Sequence, residues 1–184
     1  MSAKPRDRQI VLAMPAMRGG PEAAAAAALD EKAASRGLPS VVFEVAPGAA
    51  PPPGSLGALG PVSRLYLVGT GGHGPEDLAA LLAAAGLRQA GLVSLVAGAA
   101  AAPADAAADT SYAARLHAAL RSHGIAVELA ARTGEVAVVT EGEDRGRKRT
   151  RPAGGAAWVS KRPRSKVVYG WREAEQTRRW SEDD

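Results

Sequence analysis

The residues of this chain best suited to chemistry are cations clustered near its C-terminal end. Twelve of the 23 lysines and arginines lie between Arg145 and Arg179, a segment whose only acidic residues are Glu173 and Glu175. The summed charge of such a segment attracts polyanions, and an arginine can donate two hydrogen bonds to one phosphate whereas a lysine acts as a point charge. The sequence therefore predicts a binding surface for a highly charged anion. The alternative interpretation is a solvated basic surface without a ligand.

Residues for acid–base or nucleophilic chemistry are few. The chain has no cysteine, which excludes disulfides, thiolate catalysis and cysteine-containing metal sites. Two of its three histidines, His117 and His123, fall on or at the end of a predicted helix without acids at metal-ligand spacing, so we interpret them as helix-surface residues and expect no metal site. The third, His73, is a candidate general base for Thr70 or Ser94, and the simpler alternative is a histidine that only supports its turn.

His73 belongs to a glycine-rich turn, residues 69–74, between a predicted strand and a predicted helix. Backbone N–H groups and the helix N-terminus of such a turn can hold a phosphate. The glycine spacing matches neither the dinucleotide-binding pattern nor the P-loop pattern, and the turn contains no lysine. The glycines are therefore equally consistent with a sharp strand-to-helix connection.

Alternating strands and helices must position these residues. Apolar and β-branched runs predict five strands, and stretches bounded by proline, glycine or capping residues predict three helices. The predicted strands are 9–14, 40–45, 64–68, 92–97 and 125–129, and the predicted helices are 21–36, 75–85 and one from a cap at Asp109 or Thr110 to Ser122. This alternation predicts an α/β fold over residues 1–133, with a Rossmann-like, mainly parallel sheet flanked by helices.

The sequence pattern changes after residue 133. Short predicted strands are joined by turns rich in Gly, Asp and Arg, which indicates a meander or β-flap over residues 134–171 that is appended to the sheet. The strands of this flap are predicted at 135–139, 157–160 and 166–171. The tail, 172–184, is expected to be helical or frayed. In a meander, basic residues from neighbouring strands converge on one face and surround a compact anion.

Aromatic residues are interleaved with these cations. Trp158, Tyr169 and Trp171 lie within the predicted flap. Aromatic rings can stack on bases, so a nucleic acid is a second candidate ligand. The rings are equally suited to form the core of the flap.

In their order along the chain, these elements resemble the caspase-like cysteine protease domain of bacterial autoprocessing toxins, peptidase family C80, over residues 9–171. The most specific similarity is Gly-Arg-Lys-Arg-Thr at 146–150, followed by Ala-Trp-Val-Ser-Lys at 157–161 and Ser-Lys-Val-Val-Tyr-Gly-Trp at 165–171. These motifs are similar to the β-flap with which that family grips inositol hexakisphosphate. The resemblance implies ligand contacts from Arg147, Lys148, Lys161 and Lys166, with further basic positions at Arg36 and Arg132.

The same resemblance implies that the catalytic dyad is missing. The family's histidine lies in Val-Gly-His-Gly, where this sequence has Val-Gly-Thr-Gly and therefore Thr70. The family's cysteine ends Ser-Leu-Val-Gly-Cys, where this sequence has Ser-Leu-Val-Ala-Gly and therefore Gly98. His73 lies three residues from the histidine position, but Gly98 offers no nucleophile. The resemblance thus implies a pseudoprotease that binds a polyphosphate and serves as a sensor or binding module.

Two other functions stay open from the sequence. One is an active autoprocessing-type peptidase or other hydrolase that uses His73 with a non-cysteine nucleophile, and the other is a nucleic-acid-binding module. The sequence has no recognisable signal peptide and no apolar run long enough to cross a membrane. We therefore expect one soluble domain over residues 1–184, cytoplasmic or delivered as an effector, with no membrane partner.

Overall fold

The computed structural model describes residues 6–98, 100, 110–151, 157–159, 166–172 and 175–181, with the backbone alone from residue 171 onward. Within these residues the helices are α1 (Glu22–Ala34), α2 (Pro75–Ala84) and α3 (Tyr112–Ser122). The strands are β1 (Gln9–Ala13), β2 (Ser40–Glu44), β3 (Arg64–Val68), β4 (Gln89–Val96), β5 (Ala126–Arg132), β6 (Glu135–Val138), β7 (Lys148–Arg151), β8 (Lys166–Arg172) and β9 (Glu175–Ser181).

Seven of the strands form one mixed sheet in the order β2-β1-β3-β4-β5-β8-β9. Strands β1 to β5 are parallel to one another, and β8 and β9 extend the sheet as antiparallel strands. Strands β1, β3 and β4 are buried almost throughout, as expected for parallel strands that are covered on both faces. The prediction of an α/β fold with a mainly parallel sheet and flanking helices is confirmed.

The two faces of the sheet carry cores of different size. Helices α2 and α3 cover one face with a leucine-rich core that includes Leu12, Leu67 and Leu82. Helix α1 covers part of the other face, where it packs mainly alanines and Leu29 against residues such as Val11. Because alternate residues of a strand point to opposite faces, β1 and β3 contribute to both cores. We refer to the second side as the α1 face.

Strands β6 and β7 pair with each other outside the main sheet. We call these strands and the turn between them, residues 135–151, the β6–β7 ribbon. An isolated bridge between Thr150 and Val159 connects the ribbon to the next described segment. The ribbon packs on the α1 face, since Val136 and Val138 join the smaller core.

The segment after the ribbon differs from the predicted meander. Strand β8 pairs with β5 in the main sheet. Val167, Val168 and Tyr169 are all buried there, as in a strand covered on both faces. The prediction of a helical or frayed tail is wrong for residues 175–181, which form β9 and pair with β8 along its length.

The start of α3 also differs from its prediction. The cap is Ser111, whose Oγ accepts a hydrogen bond from the Ala114 N–H at 3.2 Å, and not Asp109 or Thr110. The Ser111 Oγ also lies 3.1 Å from the Tyr169 hydroxyl on β8. The cap position is therefore fixed by a contact with a distant strand as well as by local preference.

No helix in the described part of the chain is long and apolar enough to cross a membrane.

Candidate anion-binding site

Lys148 reaches the sheet from the β6–β7 ribbon. Lys148 pairs with Val138 in the ribbon, and Val138 and Thr150 are buried. Because side chains alternate along a strand, Lys148 lies on this inner side and Arg149 on the outer side. The Lys148 Nζ is 5.4 Å from the centre of the Tyr66 ring on β3. The ribbon thus places a cation over the α1 face.

Arg132 and Lys166 bring two further cations to the same face. They pair with each other across β5 and β8, two residues beyond Ala130 in β5. Ala130 aligns with Ser94 in β4, and Ser94 aligns with Tyr66 in β3. Alternation therefore places Arg132 and Lys166 on the same side as Tyr66, and Arg132 is only 4% exposed.

The three cations line one recess between the ribbon and the sheet, which we call the basic recess. It is a shallow recess that is open to solvent. Its lining includes Arg132, Lys148 and Lys166 together with Ser94, Ala130 and Val136. Small apolar walls and concentrated positive charge strengthen the field that an anion would meet there. The structure thus brings together three of the six ligand positions that the resemblance implies.

The turn of the ribbon is held against helix α1. Gly146 has a φ of +77°, and a Cβ at this position would lie 2.5 Å from the carbonyl oxygen of Ala28. The Lys32 Nζ donates a hydrogen bond to the Gly146 carbonyl at 3.0 Å. Arg145 forms a two-pronged ion pair with Glu31, in which its second nitrogen lies 2.8 Å from Oε1. The glycine permits a close approach that a side chain would prevent.

Lys32 lies in a cluster of like charges that the sequence analysis missed. Burial lowers the pKa of Lys32, Arg36 lowers it further, and Lys148 and Arg147 add smaller effects in the same direction, while Tyr66 opposes them. Like charges disfavour the ammonium form, and a bound anion would relieve this repulsion. Arg36 and Arg147 are themselves exposed. The spacing of Lys32 four residues before Arg36 was the available sequence signal.

Arg64 extends the positive region toward the N-terminal ends of the parallel strands. Its guanidinium lies 5.3 Å from the Tyr66 ring centre and donates a hydrogen bond to the Tyr66 hydroxyl at 2.9 Å. The Arg64 Nε is buried without a hydrogen-bond partner among the described residues. Burial lowers the pKa of Arg6, and the nearby charge of Arg64 lowers it further. Tyr66 is thus contacted by two cations, Arg64 and Lys148.

Lys161, which the resemblance includes among the ligand positions, lies outside the described residues.

The two positions at which the resemblance implies a missing dyad lie at one edge of the sheet. Thr70 follows β3 and Gly98 follows β4, and these neighbouring strands are parallel. The Tyr112 hydroxyl donates a hydrogen bond to the His73 carbonyl at 2.9 Å, and burial raises the pKa of Tyr112 to about 12, against the opposing effect of the neighbouring Thr70 side chain. Gly98 is exposed, and a Cβ built on it would meet no atom within 4 Å. The edge thus presents a threonine hydroxyl near a tyrosine and a position without a side chain.

His73 does not meet either candidate nucleophile. Its ring packs beside Gly71 and Met14, and Met14 belongs to the core beneath α2 and α3. Ser94 lies on the opposite, α1 face. The His73 N–H donates to the Thr70 carbonyl at 3.0 Å, which is a turn hydrogen bond, and within the described residues its Nε2 has no hydrogen-bond partner. The geometry supports the simpler interpretation of His73 as a turn residue.

His117 is not on the helix surface, and that prediction is wrong. The side chain is fully buried between α3 and the sheet, where its Nε2 lies 3.2 Å from the Val127 carbonyl oxygen and its ring centre lies 6.1 Å from that of Tyr169. Burial lowers the pKa of His117, which favours the neutral ring. His123, at the C-terminal cap of α3, is exposed as predicted.

The glycine-rich turn is poorly suited to bind phosphate. Helix α2 begins directly after it and carries Glu76 and Asp77 in its first turn, where acids already interact with the positive end of the helix dipole. Glu76 is also paired with Arg115 of α3, at 2.8 Å. The turn therefore serves to connect β3 to α2, and the basic recess is the better site for an anion.

Within the described residues, no group of three or more His, Asp or Glu side chains is arranged to hold a metal ion. No family model matches this chain, and a search of curated proteins finds no similar sequence.

Proposed function

We propose that this chain is a catalytically inactive, C80-like pseudoprotease with a caspase-like fold that binds inositol hexakisphosphate or a similar polyphosphate and acts as a sensor or binding module. The observation that carries the proposal is the basic recess, where Arg132, Lys148 and Lys166 converge from three strands of two separate sheets. In this proposal the β6–β7 ribbon is the counterpart of the basic flap.

Polyphosphate fits the chemistry of the recess because its charge is dense and its oxygens are hydrogen-bond acceptors. A hydrogen bond to a charged group contributes about 1.5–3 kcal/mol, so a few such contacts suffice for tight binding. Lys32 and Arg36 add positive charge beside the recess, and the lowered pKa of Lys32 supports an environment in which an anion is favourable. Arg64 is a further cation on the same face.

Loss of catalysis is supported by the two dyad positions. Gly98 has no side chain, the His73 Nε2 has no hydrogen-bond partner within the described residues, and His73 packs on the face of the sheet opposite Ser94. A hydrolase built on His73 is therefore not favoured by the geometry.

The direct test is isothermal titration calorimetry with inositol hexakisphosphate at low salt. We expect binding by the unmodified chain and at least tenfold weaker binding after Lys148→Ala, because one charged hydrogen bond is worth about this factor. Arg88→Gln is the matched control, since Arg88 donates to carbonyls at the end of α2 on the opposite face. Absence of heat with the unmodified chain would overturn the proposal.

Nucleic acid remains a second candidate because of one contact on the ribbon. The Arg151 guanidinium stacks 4.7 Å from the Trp158 ring centre, and Trp158 is 37% exposed. An exposed ring beside a cation can accept a stacked base. Binding of single-stranded DNA with a steep salt dependence, and without competition from inositol hexakisphosphate, would favour this function.

A further inference from the structure

Asp144, in the turn of the ribbon, neutralises two of the ribbon's arginines. Its Oδ1 lies 2.8 Å from a terminal nitrogen of Arg147, and its Oδ2 lies 3.1 Å from a terminal nitrogen of Arg149. The Asp144 side chain is 35% exposed and that of Arg147 is 61% exposed. Each oxygen of one carboxylate is thus engaged by a different guanidinium at the protein surface.

Arg147 lies outside the basic recess and is paired there with Asp144. Strand alternation places Lys148 on the inner side of the ribbon and Arg149 on the outer side. Arg147 is two residues before Arg149 and its carbonyl continues the ribbon pairing with Val139, so it starts on the same outer side, where Asp144 bridges the two guanidinium groups. Arg147 and Lys148 are adjacent in sequence, yet only Lys148 lines the recess.

We propose that Asp144 is an internal counter-anion that sets the affinity of the basic recess for polyphosphate. Asp144 stays paired with Arg147 until a phosphate group of the ligand takes its place. Each binding event must therefore break the Asp144–Arg147 ion pair and place ligand charge near the released carboxylate. This inference rests on the proposed function and names a residue that opposes binding.

The test compares two variants that remove the same charge from the same turn. Asp144→Asn removes the counter-anion, whereas Glu143→Gln removes an exposed neighbouring carboxylate that forms no ion pair in the described part of the chain. In calorimetry with inositol hexakisphosphate at low salt, we expect Asp144→Asn to bind about five- to twentyfold more tightly than the unmodified chain, as two exposed ion pairs allow. Glu143→Gln should change the affinity by about twofold or less, through long-range charge alone.

A double-mutant cycle isolates the role of Arg147. If Asp144 acts by holding this guanidinium, the gain from Asp144→Asn should fall to the level of Glu143→Gln when Arg147 is already replaced by Ala. The turn itself should persist in these variants, because its main-chain hydrogen bonds from the Arg147 N–H to the Asp144 carbonyl at 2.9 Å and from the Gly146 N–H to the Val139 carbonyl at 2.8 Å do not use the carboxylate. Thermal unfolding of each variant checks this.

The possible results separate this inference from the proposed function. If neither the unmodified chain nor Asp144→Asn binds inositol hexakisphosphate, both are overturned. If the unmodified chain binds and Asp144→Asn behaves like Glu143→Gln, the inference fails and the proposed function stands. Weaker binding by Asp144→Asn would also overturn the inference, because it would show that the carboxylate positions Arg147 productively for the ligand.

Discussion

The two faces of the central sheet differ in composition: one buries large apolar side chains, and the other carries most of the clustered cations. On one face, α2 and α3 bury large side chains such as Leu78, Leu82 and Leu116 in a continuous core. On the other face, α1 contributes mainly alanine to a smaller core, and cations from β3, β5, β7 and β8 occupy the remaining space. The α1 face therefore contributes less hydrophobic burial, the main stabilising contribution to a fold, and carries a positively charged recess instead.

The largest expected effect tests this division directly. Leu82 is fully buried in the larger core, so Leu82→Ala should lower the free energy of unfolding by about 2–5 kcal/mol. It should leave the affinity for inositol hexakisphosphate unchanged within about twofold, because α2 lies on the opposite face from the recess. Urea denaturation and calorimetry, at a temperature where the variant is folded, measure the two quantities.

The matched control for Leu82→Ala is the same change on the α1 face. Leu29 is 3% exposed in α1, two residues before the ion pair that Glu31 makes with the ribbon turn. Leu29→Ala should reduce both stability and affinity, since it disturbs the helix against which the ribbon packs. Equal losses of affinity in the two folded variants would contradict a division between the faces.

A smaller effect is expected where the ribbon meets α1. Gly146→Ala would put a methyl group 2.5 Å from the Ala28 carbonyl and would require an alanine at a φ of +77°. Strain of this kind costs about 1–3 kcal/mol, and we expect it to displace the turn and weaken ligand binding, as measured by thermal unfolding and calorimetry.

Gly142→Ala provides the control for the steric part of that prediction. Gly142 has a φ of +72°, but a Cβ there would meet no atom within 4 Å. This variant should therefore show the backbone strain without the clash, and a smaller loss of affinity. If Gly142→Ala weakens binding as much as Gly146→Ala, close packing of the turn on α1 is not what positions the recess.

The sequence predicts the parallel part of the fold well because those strands carry their own signal. Strands β1 and β3 are buried on both faces, so they read as uninterrupted apolar runs, and glycine or proline marks the adjacent helix ends. Strand β4 begins at Gln89, three residues before the predicted start. The sequence missed this start because Gly91 interrupts the apolar run. Gly91 cannot carry a side chain, since a Cβ there would clash with the Pro61 carbonyl and the Arg6 side chain.

The recess was only partly predictable because its members come from distant segments. Motif resemblance indicated Arg132, Lys148 and Lys166, which converge. It could not indicate how they converge, because β8 pairs with β5 in the main sheet and not with the strands of the ribbon. Arg64 has no local pattern that marks it as part of a site. It contacts Tyr66 two residues along β3, and its link to the site becomes visible only when the ribbon brings Lys148 to the same ring.

The smallest predicted effect concerns His117, which belongs to the more stable side of the comparison. Burial lowers the pKa of His117 in the folded chain, the hydrogen bond to the Val127 carbonyl opposes this shift, and the charge of Arg121 adds to it. In the unfolded chain a histidine titrates near pH 6.5, so the unfolded state binds the additional proton more readily. Stability contributed by the neutral ring is therefore present above about pH 6.5 and lost as the pH falls below it.

Urea unfolding at pH 7.5 and pH 5.0 measures this dependence. His117→Gln keeps a donor for the Val127 carbonyl but does not titrate, so it should lose less stability between the two pH values than the unmodified chain. His123→Gln removes an exposed histidine and should lose as much as the unmodified chain. Contributions from carboxylates cancel in these differences. If His117→Gln and the unmodified chain lose the same stability between the two pH values, burial of the His117 ring does not limit the stability of the larger core in acid.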